Sequence, residues 1–156
     1  MGRKYTATVE AVSVSVAQDI FQVSPATGKH VRVLRISWKN TDQTLVTPQM
    51  VALRARTLPA TVSAGSGGTT PSWGKSDQGD ASCSATVAAN NTTKATTSGT
   101  AVVQFEGSEH VYSGLDYTFR NPPIVVSGEA FVFELLNAPP SAIHASSQID
   151  IEEIGG

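Results

Sequence analysis

Leu34-Arg35-Ile36-Ser37-Trp38-Lys39 alternates apolar and polar side chains, and this period of two decides the fold class. Leu34, Ile36 and Trp38 are expected on a core face, with Arg35, Ser37 and Lys39 on a wet one. Upstream, Ser24-Pro25-Ala26-Thr27-Gly28-Lys29 is a turn, because Pro presets one dihedral and Gly supplies a flexible one. Before it, Asp19 to Val23 is a short apolar cluster. Tyr5 to Val16 carries Val9 and Ala11 on one parity and Val12, Val14 and Val16 on the other, so a bulge or bend is expected near Ala11. Downstream, Asn40-Thr41-Asp42-Gln43 ends the strand, and Val51, Leu53 and Ala55 face inward opposite Arg54 and Arg56. If these two strands are neighbours, Arg35, Lys39, Arg54 and Arg56 form a basic outer stripe.

The same alternation returns in the second half. Ala101 to Glu106 and His110 to Phe119 read as strands, with a break at Gly114. Ile124 to Val126 and Ala130 to Leu136, joined by Ser127-Gly128, read as a β-hairpin, with Phe131, Phe133 and Leu135 inward and Val132 and Glu134 outward. The last strand, Ser147 to Ile154, places Ile149 and Ile151 inward and Asp150 and Glu152 outward. Between Pro59 and Ser82 lies a long Gly/Ser-rich loop, and a short strand over Cys83 to Ala89 follows it. Eight or nine strands with no helical periodicity predict an all-β, single-domain antiparallel β-sandwich over residues 1–156, jelly-roll-like in arrangement.

Only 15% of the 156 residues are charged, below the roughly 25% of an average soluble domain, which favours strands and loops over exposed helices. The net charge of -2 argues against nucleic-acid binding driven by phosphate neutralisation. Charge is polarised along the chain: residues 1–57 sum to +5 and the remainder to -7. Strands from the two halves pairing within one molecule would neutralise this, and contact between neighbouring subunits is the alternative. The lone Cys83 forms no intramolecular disulfide, so folding in a reducing cytoplasm is expected. No apolar run approaches the roughly 20 residues of a membrane span, and the opening leads into alternation rather than a signal core. Gly2 and Thr6 fit the loose myristoylation pattern, but the same residues read as entry to the first strand.

Chemical signatures are sparse. His30, His110 and His144 lie far apart without metal-ligand spacing, so no metal is expected. Gly74-Lys75-Ser76 mimics the end of a phosphate loop, but Thr69 stands where its first glycine belongs. Alternation splits Asp150 and Glu152 from Glu153, no G-x-S-x-G elbow exists, and no catalytic residue or cofactor is assigned. Trp73, solitary in the Gly-rich loop, could anchor in a partner's pocket, stack on a sugar or pack within its own loop.

The opening Gly2-Arg3-Lys4-Tyr5-Thr6-Ala7-Thr8-Val9, then Ala17-Gln18-Asp19-Ile20-Phe21, the mid-chain Asn90-Asn91-Thr92-Thr93 and the closing Ile151-Glu152-Glu153-Ile154-Gly155-Gly156 resemble small virion structural proteins of tailed bacteriophages. The resemblance spans nearly the whole chain through β-strand phrases. It implies a head decoration or cement protein: a non-enzymatic β-sandwich or jelly roll, a homo-oligomer with a trimer favoured, assembled in the host cytoplasm onto the virion surface against the major capsid protein. Nucleic acid and membrane are not expected partners. A tail or fibre module binding a host receptor or carbohydrate is the alternative. Arg3, Lys4, Tyr5, Arg54, Arg56 and Trp73 are the residues expected to make protein contacts.

Overall fold

Alternating sequence becomes strand along most of the chain. The structure, a computed structural model, describes residues 2–42, 44 and 47–155, so Gln43 of the expected turn lies outside the described residues. Among them are thirteen strands and no helix: β1 (Arg3–Val14), β2 (Gln18–Ser24), β3 (His30–Asn40), β4 (Met50–Leu58), β5 (Val62–Ser63), β6 (Gly74–Lys75), β7 (Thr86–Asn91), β8 (Thr96–Thr97), β9 (Val102–His110), β10 (Leu115–Thr118), β11 (Ile124–Val126), β12 (Ala130–Leu135) and β13 (Ile143–Ile154). Nine of these have at least four residues.

One sheet runs β10-β3-β13-β1-β6, with β11 also on β3; a second runs β7-β2-β12-β4-β9; β5 and β8 form a small pair. Every pairing is antiparallel. Ile36, Trp38, Ile149, Ile151 and Tyr5 of the first sheet share one core with Phe21, Val23, Leu53, Phe131 and Phe133 of the second. The architecture is all-β and antiparallel, consistent with a β-sandwich whose core lies between two sheets.

Several local expectations change once register is known. Leu34 is half-buried, while Val31 and Val33 are fully buried beside Ile36 and Trp38. The cause is an extra residue: Arg35 opposes Asp150 and Val33 opposes Ile151, so Leu34 is left over and parity flips. The parity change near Ala11 is likewise a bulge between Val9 and Val12, with Ala11 at φ 48°. Ile124–Val126 and Ala130–Leu135 do not form a hairpin, because β11 pairs with β3 while β12 lies in the other sheet between β2 and β4. The turn through Gly128, at φ 92°, carries the chain between sheets instead. Nor does the basic stripe form, since β3 and β4 belong to different sheets.

Val132 and Glu134 point away from the main core yet have no exposed surface, which corrects their expected wet face. Leu58, Val132 and Ala95 make a second, smaller core with Val62 and Ala101, so the chain between β4 and β9 lies over the outer face of the second sheet. The Gly-rich stretch is not all loop: it contains β5, which pairs with β8, and β6, which adds to the first sheet beside β1, and its Thr69 bridges Ala89 at the free edge of β7. Gly68 is required there, because a Cβ would lie 2.1 Å from the Ala89 carbonyl oxygen.

Candidate functional site

The residues offered by the sequence for contact are distributed over three places. Arg3 and Lys4 are exposed on β1, with Arg3 Nε 3.7 Å from Asp80. Tyr5, next to them, turns inward, is 1% exposed and donates its hydroxyl to the Ala81 carbonyl at 2.8 Å. Trp73 is half-buried against the main core and its Nε1 donates to the Ala85 carbonyl at 2.8 Å. Arg54 and Arg56 converge on Glu134, with Nε–Oε1 separations of 2.8 and 2.7 Å. Tyr5, Trp73, Arg54 and Arg56 are therefore all engaged within their own chain.

Glu134 is the centre of that last group. Lys94 reaches its Oε2 at 2.9 Å from the covering segment, so three cations surround one carboxylate with a fully buried side chain. Burial would raise its pKa, but the hydrogen bonds and charges of Lys94, Arg54 and Arg56 outweigh it and hold the carboxyl below its usual range. Asp19, opposite Glu134 across the β2–β12 ladder, accepts the Ala95 backbone N–H at 2.6 Å through Oδ2. Its Oδ1 has no partner among the described residues.

Burial, and then the Glu134 charge, push Asp19 up to about 6. The folded state thus holds this proton more tightly than the unfolded chain does, and stability falls as pH rises from about 4 to about 6, then levels off. Asp19→Asn is expected to remove about 2 kcal/mol of that fall. Urea titrations of both proteins at a series of pH values would reveal it; parallel curves would show that Asp19 does not titrate in this window.

Glu153 is a second buried carboxylate, at the far end of β13. Its Oε2 accepts the Ser84 hydroxyl at 2.6 Å and the backbone N–H groups of Ser84 and Ala85 at 2.9 and 3.1 Å; Lys29 lies 3.2 Å from Oε1. Burial opposes this anion, but Ser84 and Lys29 prevail and lower its pKa. Cys83 Sγ stands 3.7 Å away, and burial, aided by the Glu153 charge, pushes its thiol up to about 12. At neutral pH it is a thiol and a poor nucleophile.

Polarised charge is largely neutralised inside the molecule. Lys29–Glu153, Arg32–Glu152, Arg35–Asp150, Arg35–Asp116 and Arg54–Glu134 each join a base from the first half to an acid from the second. Arg35 grips Asp116 through two nitrogens at 2.7 and 2.6 Å, which raises its own pKa and lowers that of Asp116.

Two surfaces are left to work with. On the outer face of the first sheet, Thr8, Gln148, Ser37 and Asp116 lie in one row across β1, β13, β3 and β10. Thr6, Asp150 and Arg35 make the row on one side, and Ser146 with Lys39 the row on the other. Short side chains between longer ones leave a cleft of about 530 Å³ over Thr8, Ser37 and Gln148, walled by the β1 bulge at Glu10–Ala11. The second surface is the side of the sandwich formed by β9 and β11. None of the nine residues of β9 is buried, and its outer edge pairs with no described strand. Val102 (54% exposed), Val103 (50%), Ile124 (53%) and Val126 (37%) lie on these two edge strands.

The histidines do not meet: His144 Nδ1 is 2.8 Å from Asp42, and His110 stacks near Tyr112. Among the described residues no group of three or more His, Cys, Asp or Glu side chains is placed to hold a metal. Among the described residues no helix is long and apolar enough to cross a membrane. No protein-family model, curated protein or solved structure matches the chain.

Proposed function

We propose that this chain is a non-enzymatic virion structural protein of a tailed bacteriophage, a decoration or cement protein that binds the outside of the capsid and stabilises it. Its partners in this reading are the major capsid protein and further copies of itself, assembled in the host cytoplasm, with no cofactor. The observation that carries the reading is the open β9–β11 side. An edge strand with unpaired backbone and exposed valines is a liability that proteins normally blunt, so its retention favours a permanent partner.

Strand order lends support. Counting β1, β2, β3, β4, β9, β10 with β11, β12 and β13 as eight successive strands, the two sheets run first-eighth-third-sixth and second-seventh-fourth-fifth. We read this as a jelly roll to which β7 has been added outside β2. Jelly rolls recur in viral capsid and lectin domains, so the fold is compatible with the reading without requiring it.

Immunogold labelling of intact particles from the source lysate tests the reading, with label expected over the heads. Label confined to tails, or none, would overturn it. The surface is tested by a Val102→Lys, Val103→Lys double variant. Since both side chains are about half exposed, folding should survive within roughly 0.5 kcal/mol, while capsid affinity drops about tenfold or more. Undiminished binding of the folded variant would move the contact elsewhere.

A further inference from the structure

From the outer face of the first sheet we infer a second, independent site: the cleft over Ser37 binds a neutral, hydroxyl-rich oligosaccharide. Ser37 is only 8% exposed, because Arg35 and Lys39 on its own strand and Gln148 and Asp116 on the neighbours rise around it. Yet its hydroxyl makes no hydrogen bond among the described residues, and it lines the cleft. A hydroxyl on the floor of a cleft that no protein group uses is available to an external partner. Around it the lining includes the Thr8 hydroxyl and the Gln148 amide, whose Nε2 donates to Asp150 Oδ1 at 2.9 Å and whose oxygen and second N–H can still pair, which is the pattern a sugar's hydroxyls match.

Charge selects against other ligands. Lys39 and Glu10, the two charged groups of the lining without an ion-pair partner among the described residues, are opposite in sign, and Arg35 is already held by Asp116 and Asp150. An anionic ligand gains Lys39 but meets Glu10. An apolar one finds only Val9 and Ala11. Without an aromatic platform a single site is weak, on the order of 1 mM, and becomes useful where many copies are displayed together, since avidity adds about 100- to 10,000-fold. This inference does not depend on which particle carries the chain, and it moves sugar recognition away from Trp73, whose indole N–H is held by Ala85.

Titration of the isotopically labelled full chain, followed by amide NMR, tests it with maltohexaose, cellohexaose and mannohexaose as neutral probes and hexagalacturonate as the charged one. At least one neutral probe is expected to give saturable shifts centred on Thr8, Ser37, Lys39 and Gln148. Ser37→Leu, filling the floor, should weaken that binding about tenfold or more, and the exposed Thr8→Ala, which leaves the fold untouched, by about threefold. No saturable shift with any neutral probe, shifts centred on Trp73 and its surroundings, or a response to the uronate alone would each overturn the proposal.

Discussion

Glu134→Ala is expected to cost about 4 kcal/mol of unfolding free energy, a large part of the roughly 5–15 kcal/mol that holds a domain folded. The reason lies in what remains. Deleting the carboxylate leaves Arg54, Arg56 and Lys94 facing one another, with side chains only 26%, 18% and 25% exposed, at the site they were placed to neutralise. Like charges held together and shielded from water repel strongly, and breaking a buried ion group by removing one partner costs about 3–5 kcal/mol. Chemical denaturation at neutral pH measures the effect. A loss under about 1 kcal/mol would mean that the three cations relax outward into water. The pH dependence gives a second reading. Because the Glu134 pKa is depressed on folding, its contribution is complete above the unfolded value of 4.5 and is lost as pH falls through the folded one. The variant should therefore lack that part of the acid-induced fall.

How much of this was legible in the sequence depends on whether a residue's role is set by its own strand or by a distant one. Trp38, Ile36, Phe131, Phe133, Ile149 and Ile151 were readable as core, because period-two alternation is a local property. Leu34 was misplaced because one extra residue flips parity, and nothing local to Leu34-Arg35 announces that Asp150 and Ile151 sit across from them. The hairpin failed for a related reason. A Ser-Gly turn is as good for crossing between sheets as for reversing within one, and only the pairing of β11 with β3 distinguishes the two. Glu134 carried a visible signal, one acid inside Phe131-Val132-Phe133-Glu134-Leu135-Leu136, but alternation alone assigns it to water. It is covered by Arg54 and Arg56 of the next strand and by Lys94, which comes from a polar Asn/Thr-rich connection that looks like solvated loop. Ser37 lay in the most readable strand of all, yet its lack of a partner depends on neighbours from two other strands.

Glu153→Ala should cost about 3 kcal/mol and, more tellingly, should make Cys83 reactive. Glu153 shares parity with Ile149 and Ile151, so it enters the sandwich from the same side as the core. There its Oε2 takes the backbone N–H groups of Ser84 and Ala85 together with the Ser84 hydroxyl. Removing it orphans two backbone donors and the Lys29 ammonium, and each unsatisfied buried group costs about 1–3 kcal/mol, less where water can enter. The segment leading into β7 then loses its tie to β13, and local opening precedes global unfolding there. Alkylation of Cys83 by a maleimide at neutral pH should accelerate about tenfold or more, because burial chiefly, and the adjacent anion secondarily, keep that thiol protonated and enclosed. Glu153→Gln separates the two causes. An amide oxygen can still accept from Ser84 and Ala85, so alkylation should remain slow if enclosure governs reactivity. If Glu153→Ala left Cys83 as unreactive as in the parent chain, Trp73 packing and the Tyr5–Ala81 hydrogen bond would have to be holding this segment without the carboxylate. The Glu153 pKa is also lowered on folding, so its contribution to stability is complete above the unfolded value and is lost as pH falls through the folded one.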